Sequence, residues 1–200
     1  KMKQFITKVV YIPPILYSID IDKVVKKMEI GLADNMDSDE VLTYLSDFCA
    51  GFGTESYDYS LLAGRITTIS LYKQTPSSFK EAMQKVKHLL KNTFLDKVLN
   101  SSVDYDAYIN ENNDFQYDII GIKTLMRSYL LKDKSGFVER PQYMLMRVAV
   151  FLCNSPEEVL ETYHLLSNGV YTHASPTLFH SGMKKHQLAS CFLMTMKEDS

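Results

Sequence analysis

"ERPQYMLMRVAVFLCNSPEEVLETYHLLSNG", residues 139–169, reads as two helices in succession. Pro141 suits the first position of a helix, where its missing N–H has no partner to lose. The apolar run from Tyr143 to Cys153 then continues without the strict alternation of a half-buried strand. Ser155, Pro156 and Glu158 make a capping box with proline inside it, so a second helix opens there and runs to about Asn168. Gly169 stops it.

The helical pattern extends toward the N-terminus. "IIGIKTLMRSYLLK" (119–132) predicts a helix, followed by a turn at "DKSG" (133–136). Val24, Val25, Met28 and Leu32 recur at helical spacing between Asp22 and about Ala33. Asp37 with Glu40 predicts a capped helix carrying Val41, Leu45, Phe48, Cys49 and Phe52 on one side, ended by "GFG" at 51–53. A longer helix is expected over 58–73, with Asp58 as its cap and Leu61, Leu62, Ile66, Ile69 and Tyr72 inward. Thr75-Pro76 predicts a further helix to about Lys91. Residues 1–19 read as irregular around Pro13-Pro14, and 100–118 as mostly loop with a short helix. Toward the C-terminus the period changes: "VYTHA" (170–174) and "CFLMTM" (191–196) read as short strands. The expectation is a mainly helical segment that leads into a sheet or barrel.

Composition fits an ordinary globular chain: 200 residues, 46% apolar, 23% charged, net charge −2. That charge gives no broad surface for nucleic acid, and the Lys184-Lys185-His186 patch is too small to make one. The stretch 143–153 is too short to span a membrane and carries Arg147. Pro13-Pro14, Asp20 and Asp22 interrupt any secretory signal. Cys49, Cys153 and Cys191 make neither a disulfide framework nor a zinc set, which suits a reducing, cytoplasmic setting. The chain starts at Lys1 and stops at Ser200 inside a patterned segment, as expected of a piece of something longer.

Few residues suggest chemistry unaided. Cys49 and Cys153 lie on apolar helix faces, where cysteine is a small hydrophobe. His173, His180 and His186 fit no zinc spacing, so no metal site is expected. Glu157 and Glu158 suit a helix first turn. Cys191 stands apart, directly before an apolar run and behind a loop of small polar residues and proline.

"THASPTLFHSG…QLASCFL" (172–193) and "ERPQYMLMRVAV" (139–150) resemble blocks of the large, catalytic subunit of class I ribonucleotide reductase; "DYSLLAGRI" (58–66) and "LMRSYLLK" (125–132) resemble it more weakly, in the same order. The resemblance implies a fold that is mainly α here, a helical N-terminal domain leading into the first strands of a ten-stranded α/β barrel. It divides the chain into an ATP-cone-like remnant (1–75), a helical domain (76–168) and the start of the catalytic barrel (169–200). It implies an enzyme that reduces ribonucleoside diphosphates to their 2′-deoxy forms by radical and dithiol chemistry. The alternative is a non-catalytic relative acting as a helical binding or regulatory protein.

By the same resemblance, Cys191 is one half of a redox-active pair whose partner is absent here. Ser175 and Ser190 touch the substrate, where small hydroxyls can approach ribose and phosphate closely. Asp199 and Ser200 begin the loop that reads an allosteric effector, a deoxynucleoside triphosphate or ATP. The implied partners are the ribonucleoside diphosphate, a small metal-containing subunit that supplies the radical, thioredoxin or glutaredoxin as reductant, and a second large subunit; no nucleic acid and no membrane are implied. The sequence departs from the family at His180-Ser181-Gly182, Ala189 and His186. No Lys-Arg pair precedes Asp58, and Leu42 stands where a nucleotide-contacting aspartate would fall, so no working N-terminal ATP site is expected.

Overall fold

A computed structural model describes residues 1–31 and 36–195. Its helices are α1 (Met2–Val10), α2 (Ile21–Gly31), α3 (Ser38–Gly51), α4 (Tyr57–Gln74), α5 (Phe79–Lys85), α6 (Asn92–Leu99), α7 (Ile119–Ser128), α8 (Pro141–Leu152), α9 (Pro156–Ser167) and α10 (Ser175–His180). Two 3₁₀ turns cover Tyr105–Tyr108 and Glu111–Gln116. Strands β1 (Lys132–Asp133) and β2 (Gly136–Phe137) form a two-residue hairpin at the expected turn. The segment is therefore mainly helical, and no ten-stranded barrel is formed by the described residues. No helix among them is long and apolar enough to cross a membrane.

Local signals act as their chemistry predicts where nothing competes. Asp37 caps α3, accepting from the N–H groups of Asp39 and Glu40, and Glu40 returns a bond to the Asp37 N–H. Ser155 and Glu158 do the same for α9. Pro141 opens α8. Every residue of α8 from Pro141 to Val150 is buried, so this helix is the axis of the C-terminal half. α4 is the corresponding axis of the N-terminal half and packs on α1, α3 and α7. It comes so close to the start of α7 that a Cβ on Gly64 would lie 2.2 Å from the Tyr117 carbonyl oxygen.

The hydrophobic core runs without a break from Ile6 to Leu178, across residue 75. Polar ties join its halves. The Asp114 carboxylate, in the second 3₁₀ turn, accepts from the Tyr72 hydroxyl on α4 (2.8 Å) and the Gln142 N–H on α8 (3.0 Å). The Arg140 guanidinium lies 3.9 Å from the Tyr72 ring centre and bonds Thr75 and Glu111. Arg65, fully buried on α4, donates to the carbonyls of Val9, Ile12, Pro14 and Phe115, fastening the segment after α1 to the core.

Several expectations are corrected. Residues 2–10 are helical: Phe5, Ile6, Val9 and Val10 make an apolar face, and the helix ends before Pro13-Pro14. The cap of α4 is Ser56, which accepts from the Asp58 N–H, while Asp58 accepts from the Ser18 N–H. Thr75 closes α4 by bonding back to the Leu71 carbonyl, and α5 opens at Ser78. The single helix expected from 76 to 91 is broken because Leu89 and Lys91 bond instead to Lys184 and Gly182, forming a bridge between Leu90 and Met183; a separate helix, α6, follows. α7 stops at Ser128 because the Leu131 N–H is taken by the Glu139 carboxylate. Residues 170–174 and 191–195 are not strands. A strand needs a neighbour to complete its ladder, and none lies beside them among the described residues.

Candidate functional site

Two buried charges set the frame. Glu139 precedes α8 and Arg147 lies within it, and both are fully buried. Their side chains pair twice, Nε to Oε1 at 2.6 Å and Nη2 to Oε2 at 3.0 Å. The rest of the guanidinium donates to the carbonyls of Ser181 (2.7 Å) and Leu178 (3.1 Å). Buried charges persist only when paired and hydrogen-bonded, and here the partners include the end of α10. The Leu90–Met183 bridge holds the residues just beyond it. Gly182 adopts φ +78°, and a Cβ there would press on the Phe94 ring at 3.1 Å, so glycine serves both the turn and the packing. Ser181, one of the departures from the family pattern, is fully buried and donates to the Thr177 carbonyl (2.6 Å).

α10 itself is fixed by Thr177 and Leu178, which are buried. After the turn the chain folds back along it: the Thr177 hydroxyl donates to the Leu188 carbonyl (3.3 Å), and His180 Nδ1 lies 3.0 Å from the Gln187 carbonyl. Residues 187–188 thus run from the C-terminal toward the N-terminal end of α10, the end that carries Ser175. Ser175 is half-buried, and its Oγ lies 2.8 Å from the Tyr129 hydroxyl. It makes no hydrogen bond to Ser190 or Cys191. Those two are exposed neighbours, with Ser190 Oγ 3.8 Å from Cys191 Sγ. Asp199 and Ser200 lie outside the described residues.

The other cysteines are differently placed. Cys49 is buried in the core, and burial pushes its thiol up to about 12, so it is not a thiolate near neutral pH. Cys153 is half-buried at the end of α8, with its sulfur 3.2 Å from the Thr162 hydroxyl. The histidines are engaged separately: His173 stands edge-on to Tyr171, His180 is on α10, and His186 lies near Lys91. No group of His, Cys, Asp or Glu able to hold a metal is present among the described residues. Leu42 packs against the core.

Sequence reasoning missed Tyr129, Glu139 and Arg147 as parts of this arrangement. Arg147 carried a usable signal, because a charge inside a wholly apolar helix must find a buried partner. Nothing in the sequence pairs Tyr129 with a residue 46 positions away.

A family model described as ribonucleotide reductase, all-alpha domain, matches residues 115–186, which include Tyr129, Arg147 and Ser175. The chain is 38% identical over 194 residues to the ribonucleoside-diphosphate reductase large subunit of Variola virus, covering 91% of this chain and 25% of that protein. It is 37% identical over 189 residues to the large subunit of Arabidopsis thaliana (88% and 23%) and 36% identical over 201 residues to the large chain of Schizosaccharomyces pombe (92% and 25%). The chain spans about a quarter of the length of these relatives.

Proposed function

We propose that this chain, which belongs to the ribonucleoside-diphosphate reductase large-subunit family, is part of an enzyme that converts ribonucleoside diphosphates to 2′-deoxyribonucleoside diphosphates. The likeness to large subunits over 91% of the chain carries the reading. In it, Cys191 is one thiol of a redox pair. The pair gives up two electrons and two protons, the 2′-hydroxyl leaves as water, and a disulfide forms. An external dithiol, thioredoxin or glutaredoxin, then restores the thiols. Cys191 is a free cysteine just after the segment that folds back along α10 toward Ser175, and the role needs such a sulfur to meet substrate and then a reductant in turn. Cys49 suits neither function, being buried and held as a thiol.

Ser175 and Ser190 are the substrate contacts in this proposal, offering hydroxyls to the ribose or diphosphate without burying a charge. The second redox thiol and the cysteine that carries the radical are supplied by other parts of the enzyme. A small metal-containing subunit generates the radical, and a second large subunit completes the assembly. Asp199 and Ser200 begin the loop that reads a deoxynucleoside triphosphate or ATP, and residues 169–200 are the start of the catalytic α/β barrel. Three unpaired cysteines fit a cytoplasmic setting.

Replacing the sulfur tests the proposal. In the complete enzyme with its radical-generating subunit, Cys191→Ser is expected to abolish multiple turnover driven by a dithiol, while Cys153→Ala retains it. Near-normal turnover by Cys191→Ser would refute the assignment.

A further inference from the structure

The contact between Tyr129 and Ser175 has no evident part in holding the fold. α10 is secured without it, by the Arg147 bonds to Leu178 and Ser181, by burial of Thr177 and Leu178, and by the Leu90–Met183 bridge. Tyr129 is likewise placed by other means: it ends α7, and its ring packs at 5.7 Å on Phe179. What the contact does fix is a rotor. A serine hydroxyl has one proton and two acceptor lone pairs, and left alone it samples three orientations. A phenol 2.8 Å away that donates to Ser175 Oγ occupies a lone pair and leaves the serine proton for another acceptor.

We infer that Tyr129 is a positioning residue for substrate binding: its hydroxyl donates to Ser175 Oγ and directs the serine proton to an oxygen of the ribonucleoside diphosphate. The inference rests on the reading of Ser175 as a substrate contact. A hydroxyl that receives a hydrogen bond becomes a better donor, so the two bonds strengthen each other when substrate is present. The acceptor is a ribose or phosphate oxygen; either uses the same proton.

The test uses the complete enzyme with its radical-generating subunit and a saturating reductant. Tyr129→Phe keeps the ring on Phe179 and removes only the hydroxyl. The expected result is a KM for the ribonucleoside diphosphate roughly threefold to tenfold higher, the size of one lost neutral hydrogen bond, with kcat and the melting temperature little changed. Ser175→Ala should raise KM similarly, and the double variant should add nothing to the larger single effect, because the two groups act as one unit. A raised KM in Ser175→Ala with no change in Tyr129→Phe would overturn the role of Tyr129 and leave that of Ser175 standing. An unchanged KM in both would overturn both. A lower kcat or melting temperature in Tyr129→Phe at unchanged KM would mean that the tyrosine serves only the fold, and would also overturn the inference.

Discussion

At the scale of single residues, the strongest commitments in this chain are buried ions. Arg147 satisfies two carbonyls and a carboxylate at once, and Glu139 also accepts the Leu131 N–H that ends α7. Removing one partner of such a pair leaves the other charged in the core, at a cost of about 3–5 kcal/mol. Arg147→Met should therefore lower the unfolding free energy of the 200-residue chain by about that amount, read from urea unfolding. Adding Glu139→Gln should recover part of the loss, because the stranded charge is gone. A cost below about 1 kcal/mol would place the pair among ion pairs of the solvated kind. The same residues show where reading from sequence stopped. Arg147 was visible as a charge in an apolar run, yet its partners lie 8, 31 and 34 residues away, and only the fold brings them together. Cys191, Ser175 and Ser190 were singled out by a family resemblance rather than by their own chemistry.

At the scale of elements, helices with strong local signals were the readable ones. Asp37 with Glu40 and Ser155 with Glu158 each satisfy helix-end N–H groups from within a few residues, and Pro141 opens α8 with no N–H of its own to satisfy, so tertiary context has little to change. The helix expected over 76–91 failed for the opposite reason. Its middle residues found backbone partners at Gly182 and Lys184, a choice no local pattern announces. Joining of elements is also non-local, and Asp114 is its clearest instance. Burial pushes its carboxyl up from the ordinary 3.8 to about 7, against the lowering pull of the Tyr72 hydroxyl and the Gln142 N–H. Folding thus raises its proton affinity. The stability this contributes is fully present below about pH 4 and is lost as pH rises through about 7. Asp114→Asn fixes the side chain in its neutral form. Its urea midpoint, relative to the parent chain, should therefore rise with pH across that window, from a deficit or parity at the acid end. A difference that does not vary with pH would show that Asp114 stays ionised in the fold.

At the scale of the whole molecule, α4 and α8 are two axes within one continuous core, and Ser175, Ser190 and Cys191 lie outside it. Buried side-chain polar atoms of the described residues are paired apart from Gln142 Nε2 and His173 Nε2, whereas Phe192, Leu193 and Met194 beside Cys191 are exposed. The helical body is therefore a base that holds α10 and the returning segment in register as far as Leu188. The proposed role for Cys191 is that its sulfur is consumed and regenerated in catalysis. It is tested most directly by letting the complete, pre-reduced enzyme turn over its ribonucleoside diphosphate without external reductant, then trapping free thiols and mapping disulfides by peptide mass. Cys191 is expected to be recovered in a disulfide in proportion to the deoxynucleotide formed, while Cys49 remains a free thiol. Deoxynucleotide formed with Cys191 still wholly in the thiol form would contradict it.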